Sequence, residues 1–362
     1  MNRLRELDFL RGIAILLVLF RHQLLFQWTK TMGWIGVDLF FVLSGFLVSG
    51  LLFKEYQNYS KIDGKRFLIR RGFKIYPIFY LFYLLYLIPF FVNDETIDFR
   101  KVLTDLLFVQ NYATGWGYGY EASWSLAVEE HFYFGLVFAF YLILKNTKLR
   151  DNFFSTTNFF TERILLLVLL IVLLLRIFSN VYFEGQFIRN FTMTHLRIDA
   201  LLFGVLISYM YYFKQEFLMK KFNDLKYYLL FLAALFLSFT PFIEPLNSFF
   251  VKTIGFTLVY HAFGILLCFI LLIPNINKIL DRFLSKFIVD IIARIGFCSY
   301  SIYVIHTFVI FVVKQLKFDN HYINFVLVVF FSCFLGYFMT HYIEKYFLKV
   351  REHYFPSKKI SK

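Results

Sequence analysis

The chain has 362 residues, 59% of them hydrophobic and only 17% charged, and carries a formal net charge of +14. Soluble domains run about 45–50% apolar and about 25% charged, so this composition excludes an ordinary soluble domain and fits a chain that crosses a bilayer many times. The positive balance does not point to nucleic acid, because the basic residues sit in connections between long apolar runs, where cations set orientation.

In chain order, apolar runs long enough to span hydrocarbon lie near 9–28, 34–53, 73–92, 124–144, 162–182, 195–213, 226–243, 249–273, 295–316 and 322–345. They predict an all-α polytopic transmembrane bundle of about ten spans, because in lipid a lone segment satisfies its backbone only as a helix. The first run lacks a small-residue cleavage site and reads as a retained helix rather than a signal peptide. The stretch 231–250, interrupted by Pro241 and Pro245, has the least defined span end.

Every second connection is basic. Arg3 and Arg5 precede the first span; Lys54, Lys61, Lys65, Arg66, Arg70, Arg71 and Lys74 follow the second; Lys145, Lys148 and Arg150 follow the fourth. Lys214, Lys220 and Lys221, then Lys278, Arg282 and Lys286, and finally Lys358, Lys359 and Lys362 continue the pattern, whereas 93–121 carries Asp94, Glu95, Asp98, Asp105 and Glu121. The alternation predicts that both termini face the cytoplasm. The domain reading is a transmembrane domain over 1–346 followed by a basic tail, 347–362. Cys268, Cys298 and Cys333 lie inside apolar runs without metal or disulfide spacing, and no metal is expected.

Ionisable groups within spans cost about 2.5–3.5 kcal/mol each on insertion scales and so require a reason. Arg11 and His22 are eleven residues apart, close to three helical turns, so they share a face about 16 Å long. Each also has a plainer reading: a histidine bonded to a backbone carbonyl, and an arginine reaching the inner surface. Asp38 opens the second span on its outer side, where a carboxylate also suits the helix dipole. Glu129 and Glu130 begin the fourth span about 100° apart, and Glu129 shares its face with Ser125 and Tyr133, which favours it as the inward one. Trp124 reads as an interfacial anchor, Arg197 and Asp199 as an outer-surface ion pair, and His306 as a lone intramembrane histidine. Arg66, Arg70 and Arg71, at i, i+4 and i+5, form one cationic face if helical, suited either to orientation alone or to bidentate phosphate contacts. No phosphate-binding loop, dinucleotide fingerprint, zinc-ligand spacing or nucleophile elbow is present.

Taken together these blocks resemble the acyltransferase-3 family of integral membrane O-acyltransferases. Arg11 and His22 fit its Arg-x10-His signature on the first helix, within Leu7-Asp8-Phe9-Leu10-Arg11-Gly12. Gly36-Val37-Asp38-Leu39-Phe40-Phe41-Val42-Leu43-Ser44-Gly45-Phe46, Arg70-Arg71 before Ile75-Tyr76-Pro77, and Trp124-Ser125-Leu126-Ala127-Val128-Glu129-Glu130-His131-Phe132-Tyr133 are similar to the next blocks. Arg197-Ile198-Asp199-Ala200-Leu201-Leu202-Phe203-Gly204 and Ser299-Tyr300-Ser301-Ile302-Tyr303-Val304-Ile305-His306 are similar to weaker later ones. Six blocks in order cover nearly the whole chain. Some relatives carry a soluble hydrolase-like domain after the last span; this chain is read as the form without one, with acceptor handling left to the membrane domain or a partner.

The resemblance implies an enzyme of a bacterial cytoplasmic membrane. It moves an acyl group, acetyl in preference, from acyl-CoA as co-substrate to a hydroxyl of a cell-surface glycan or its lipid-linked precursor. His22 is the expected base, since imidazole titrates near neutrality. Arg11, Asp38, Glu129 and Glu130 complete the expected catalytic set, with Asp38 or Glu129 orienting His22. Arg66, Arg70 and Arg71 are expected to hold the donor, and Trp124, Arg197, Asp199 and His306 to contact the acceptor. The rival reading is a glycan or lipid transporter without acyl chemistry.

Overall fold

The computed structural model describes residues 4–356. Arg3, Lys358, Lys359 and Lys362, which entered the charge pattern, and the end of the 347–362 tail lie outside the described residues. Among the described residues all regular structure is helical, as the satisfaction of backbone groups in lipid requires. The principal helices are α1 (Arg5–His22), α2 (Ile35–Tyr59), α3 (Gly64–Tyr83), α4 (Trp124–Lys145), α5 (Phe160–Tyr182) and α6 (Ile198–Phe213). They continue as α7 (Gln215–Leu237), α8 (Phe256–Leu272), α9 (Lys286–Phe297), α10 (Ser299–Gln315), α11 (His321–Phe338) and α12 (Lys345–Tyr354). By length and composition seven helical stretches among the described residues are able to cross a bilayer, or eight if the bent pair α9–α10 is one span.

Several boundaries differ from the sequence expectation: the expected span 226–243 is the helix Gln215–Leu237, and three further differences concern α1, α2 with α3, and α9 with α10. The first helix ends at His22 rather than near 28, because Gln23 turns to an extended conformation. The basic stretch 54–74 is mostly helix: α2 runs on to Tyr59, α3 starts at Gly64, and Arg66, Arg70 and Arg71 occupy its first turns. The run 295–316 is broken at Cys298, where α9 and α10 meet at a 78° bend.

The chain forms two compact units. Unit one comprises Met1–Gly36, Lys65–Ala127 and Asn277–Lys362; unit two comprises Val37–Gly64 and Val128–Ile276. In unit one, α1 lies directly on α9. A Cβ on Gly12 would sit 2.1 Å from the Ile292 carbonyl oxygen, and one on Gly296 would sit 1.8 Å from that of Asp8, so these glycines permit the approach. Beside them, Val304, Ile305, Val309, Ile310 and Val313 of α10 pack with Val328 and Met339. In unit two, Gly45 of α2 faces the Leu201 carbonyl and Gly204 of α6 faces that of Val42, giving the same kind of close crossing. Phe53 packs edge-on against Phe140, Phe154, Tyr209 and Phe213.

In the segment between α3 and α4, Asp94, Glu95 and Glu121 are exposed but Asp105 is not. Asp105 is fully buried there and accepts from the Tyr83 hydroxyl at 2.8 Å and from the Tyr118 and Gly119 amides at 3.0 and 2.9 Å. Burial nevertheless pushes its carboxyl above the ordinary value against those donors.

Candidate active site

Unit one brings two of the expected residues together. His22, the last residue of α1, is exposed, and its ring centroid lies 5.0 Å from that of His306 on α10, with the planes at 63°. His306 has no exposure at all, and its Nδ1 is 2.6 Å from the Tyr303 carbonyl oxygen. A carbonyl only accepts, so Nδ1 carries the proton, and in the neutral ring Nε2 is then a bare lone pair. That Nε2 is buried without a hydrogen-bond partner.

The α10 backbone around this pair is held by hydroxyls. Tyr120 donates to the Tyr303 carbonyl and Tyr86 to that of Val304, with the two rings stacked at 4.6 Å. The Tyr303 hydroxyl donates to the Ala122 carbonyl at 2.9 Å and meets Ser125 Oγ at 2.6 Å. Burial raises the Tyr120 phenol well above its ordinary value, so this hydroxyl remains a donor.

Toward the first turns of α1 and α3 a charged network begins. Arg11 pairs with the buried Asp8 at 3.5 Å. Lys74 pairs with the buried Glu344 at 2.9 Å and feels both Arg11 and Arg71. Arg70 binds Glu352 at 2.6 Å and donates to the Phe355 carbonyl, and Arg351 shares Glu352 at 2.7 Å. Arg11, Arg70, Arg71, Lys74 and Arg351 thus share this region with the carboxylates of Asp8, Glu344 and Glu352. Glu344 sits in a π-helical turn, Met339–Glu344, a distortion that often marks functional sites. At the start of α1, Arg5 bridges Asp281 and Asp290 at 2.7 Å each, and its hydrogen bond holds the Asp281 carboxyl below the ordinary value.

The remaining expected residues lie in unit two or do other work. Asp38 is buried and held by Arg197 at 2.9 Å; Asp199 is held by Arg176 at 2.7 Å. The surface pair expected between Arg197 and Asp199 is therefore two separate, fully buried pairs. The Arg197 guanidinium lies 3.5 Å from the centre of the Phe256 ring, a cation–π contact. Glu129 accepts from the Tyr133 hydroxyl, which also meets Ser44 Oγ at 2.7 Å, while Glu130 is the more buried of the two acids. Trp124, in unit one, is buried against Trp116 at 6.0 Å rather than presented to lipid. Sequence reasoning missed Arg176, a fully buried cation in the middle of an apolar 23-residue helix. It also missed the Lys214–Glu162 pair. The isolation of Arg176 in that run was the available signal.

Apolar helices long enough to cross the bilayer repeatedly, an accessible histidine backed by a buried one and a charged cluster at the start of the same helix together make the candidate active site of a multi-pass membrane protein. The family model described as acyltransferase domain matches residues 4–342, and the chain belongs to that family. It is similar to a Staphylococcus aureus (strain COL) protein named "Putative O-acetyltransferase", 28% identical over 226 residues, 58% of this chain and 35% of that one. It is also similar to the peptidoglycan O-acetyltransferase OatA of Listeria monocytogenes, 30% identical over 163 residues, 40% of this chain and 26% of that one. The matched stretches thus cover about a third or less of those relatives' length. No solved structure matches. The description of that family speaks for acyl chemistry and not for the rival reading of a transporter without it.

Proposed function

We infer that the chain moves an acyl group, acetyl in preference, from cytoplasmic acyl-CoA to a hydroxyl of a cell-wall or other cell-surface glycan, or of its lipid-linked precursor, at a bacterial cytoplasmic membrane. The observation that carries this reading is the accessible imidazole of His22 on the helix that also bears Arg11. His22 accepts the acceptor's hydroxyl proton, the oxygen attacks the thioester carbonyl, the C–S bond breaks as the C–O bond forms, and the proton passes to the departing CoA thiolate. Peptidoglycan is the first acceptor to test, because a relative is named for it.

The donor's phosphates suit the guanidinium groups of Arg11 on α1 and of Arg66, Arg70 and Arg71 on α3. We assign the donor contact to Arg66, Arg70 and Arg71, with Arg11 beside them; Arg70 reaches the donor when Glu352 and the Phe355 carbonyl release it. Purified protein supplied with radiolabelled acetyl-CoA and glycan acceptor tests both assignments. His22→Ala is expected to lower turnover at least a hundredfold while the protein still inserts. Arg71→Ala is expected to raise the KM for acetyl-CoA about ten- to a hundredfold, since one charge-assisted contact is worth about 1.5–3 kcal/mol. Substantial turnover by His22→Ala removes the base assignment, and an unchanged KM in Arg71→Ala returns the cluster to orientation alone.

A further inference from the structure

His306 does not need its own hydrogen bond to satisfy the structure around it. The Tyr303 carbonyl that takes its Nδ1 proton also receives the Tyr120 hydroxyl, so that oxygen would keep a partner without His306. What the bond does achieve is to fix which nitrogen of His306 is protonated. A neutral imidazole has one N–H, and spending it on Tyr303 leaves Nε2 as a pure acceptor. That acceptor is sealed from solvent, has no partner, and belongs to the ring that stands beside His22.

The centroid separation of 5.0 Å is about what two imidazoles show when joined by an N–H···N bond, given about 1.2 Å from centroid to nitrogen and about 2.9 Å between nitrogens. At that separation the exposed His22 ring is close enough for such a bond to His306 once it turns. Catalytic hydrogen bonds are commonly loose until substrate is bound. The cations Arg21, Lys30 and Lys314 all act electrostatically on His22, so an uncharged acceptor orients the ring without requiring a second buried charge beside it.

We propose that His306 is the positioning residue for His22: its bare Nε2 accepts the one N–H of neutral His22 and so leaves the other His22 nitrogen unprotonated as the base. This rests on the acyl-transfer reading above, with His22 as base. It assigns to a neutral histidine the orienting role that the sequence suggested for Asp38 or Glu129. The relay runs from Tyr303 carbonyl to His306 Nδ1–H, from His306 Nε2 to a His22 N–H, and from the remaining His22 nitrogen to the acceptor hydroxyl. The proton that His22 takes from that hydroxyl leaves on the CoA sulfur, and His306 neither gains nor loses one. The tyrosines clamping residues 303 and 304 keep this acceptor in place, as a supporting shell must if a base is to stay aimed.

The test compares wild type, His306→Gln and His306→Phe in detergent or nanodiscs, with saturating and limiting acetyl-CoA. Gln places an amide oxygen near the position of Nε2, whereas Phe keeps volume and removes the acceptor. We expect His306→Phe to lose ten- to a hundredfold in kcat with the KM for acetyl-CoA within twofold of wild type, and His306→Gln to recover most of the loss. Full kcat in a folded His306→Phe overturns the proposal, and so does equal loss in both variants with a matching change in KM. A wild-type protein that transfers no acyl group at all fails the functional reading instead, which separates the two. Nitrogen-15 spectra of histidine-labelled wild type provide a measurement that needs no variant. The expected signature is His306 in the Nδ1–H tautomer, and an Nε2–H tautomer overturns the relay even if both variants misfold.

Discussion

Arg176 and Asp199 show what a single residue can cost in this chain. Both side chains are almost completely buried, 2.7 Å apart, and Arg176 also donates to the Thr257 hydroxyl at 2.6 Å and the Leu196 carbonyl at 3.3 Å. Each ion was stripped of water when it entered the protein, and that cost is recovered only while the partner is present. Arg176→Met leaves Asp199 buried beside the second acid–base pair, Asp38–Arg197, and is expected to destabilise by about 3–5 kcal/mol. The double change Arg176→Met/Asp199→Leu removes both charges and is expected to recover much of that loss, read as the melting temperature of the purified protein. A double variant no more stable than the single would mean that the pair is held by something other than mutual neutralisation. The residue scale was also the least legible in sequence. Asp38 and Arg197 stand 159 positions apart, and nothing local marks them as partners. His22 and Arg11 were legible because one helix sets their spacing, whereas the approach of His306 to His22 depends on the packing of two elements distant in the chain.

At the scale of elements the short blocks of the sequence acquire two different meanings. Gly45 and Gly204 close the block around Ser44 and the block around Asp199, and each faces the backbone of the other helix. A Cβ on Gly45 would sit 1.9 Å from the Leu201 carbonyl oxygen, and one on Gly204 would sit 2.3 Å from that of Val42. Backbone oxygen cannot swing aside, so α2 and α6 would have to separate and lose their contact. Gly135 of α4 provides the control, because nothing lies within 4 Å of its added Cβ. Gly45→Ala and Gly204→Ala are expected to lower the melting temperature and yield of the detergent-purified protein. Gly135→Ala is expected to be neutral or stabilising by up to about 1 kcal/mol, since alanine is the better helix former. Equal behaviour of all three would refute a close α2–α6 crossing. Helix existence was readable from apolar runs: the expected 162–182 is the observed α5 to within two residues. The bend at Cys298 was not readable; beside it Gly296 lies against the Asp8 backbone, a contact between segments that no local pattern encodes.

For the molecule as a whole, sidedness connects the site to its substrates. Among the described residues seven stretches pass on length and apolarity, and the bent pair α9–α10 makes an eighth if it is one span. Helix α1 misses that group while carrying five charges, Arg5, Glu6, Asp8, Arg11 and Arg21, and α7 has Lys220, Lys221, Asp224 and Lys226 in its first half. Counting both gives the ten spans of the sequence reading, an even number that returns the chain to its starting side. Omitting either one reverses the sidedness of every connection between it and the far terminus. The charge on α1 does not argue against its crossing: Arg5 is met by Asp281 and Asp290, and Arg11 by Asp8, so most of it enters already paired. The prediction is that Asn93→Cys, in a background lacking Cys268, Cys298 and Cys333, reacts with an impermeant maleimide added to intact cells. Lys148→Cys is expected to react only after the membrane is opened. This result puts the cationic start of α3 on the side where acyl-CoA is made, and the acidic segment 93–121 on the side of the cell wall. If Asn93→Cys is labelled only from inside, then α1 does not cross or the charge rule has failed here. The cluster of Arg11, Arg66 and Arg71 would then face away from the CoA pool and could not be its donor site.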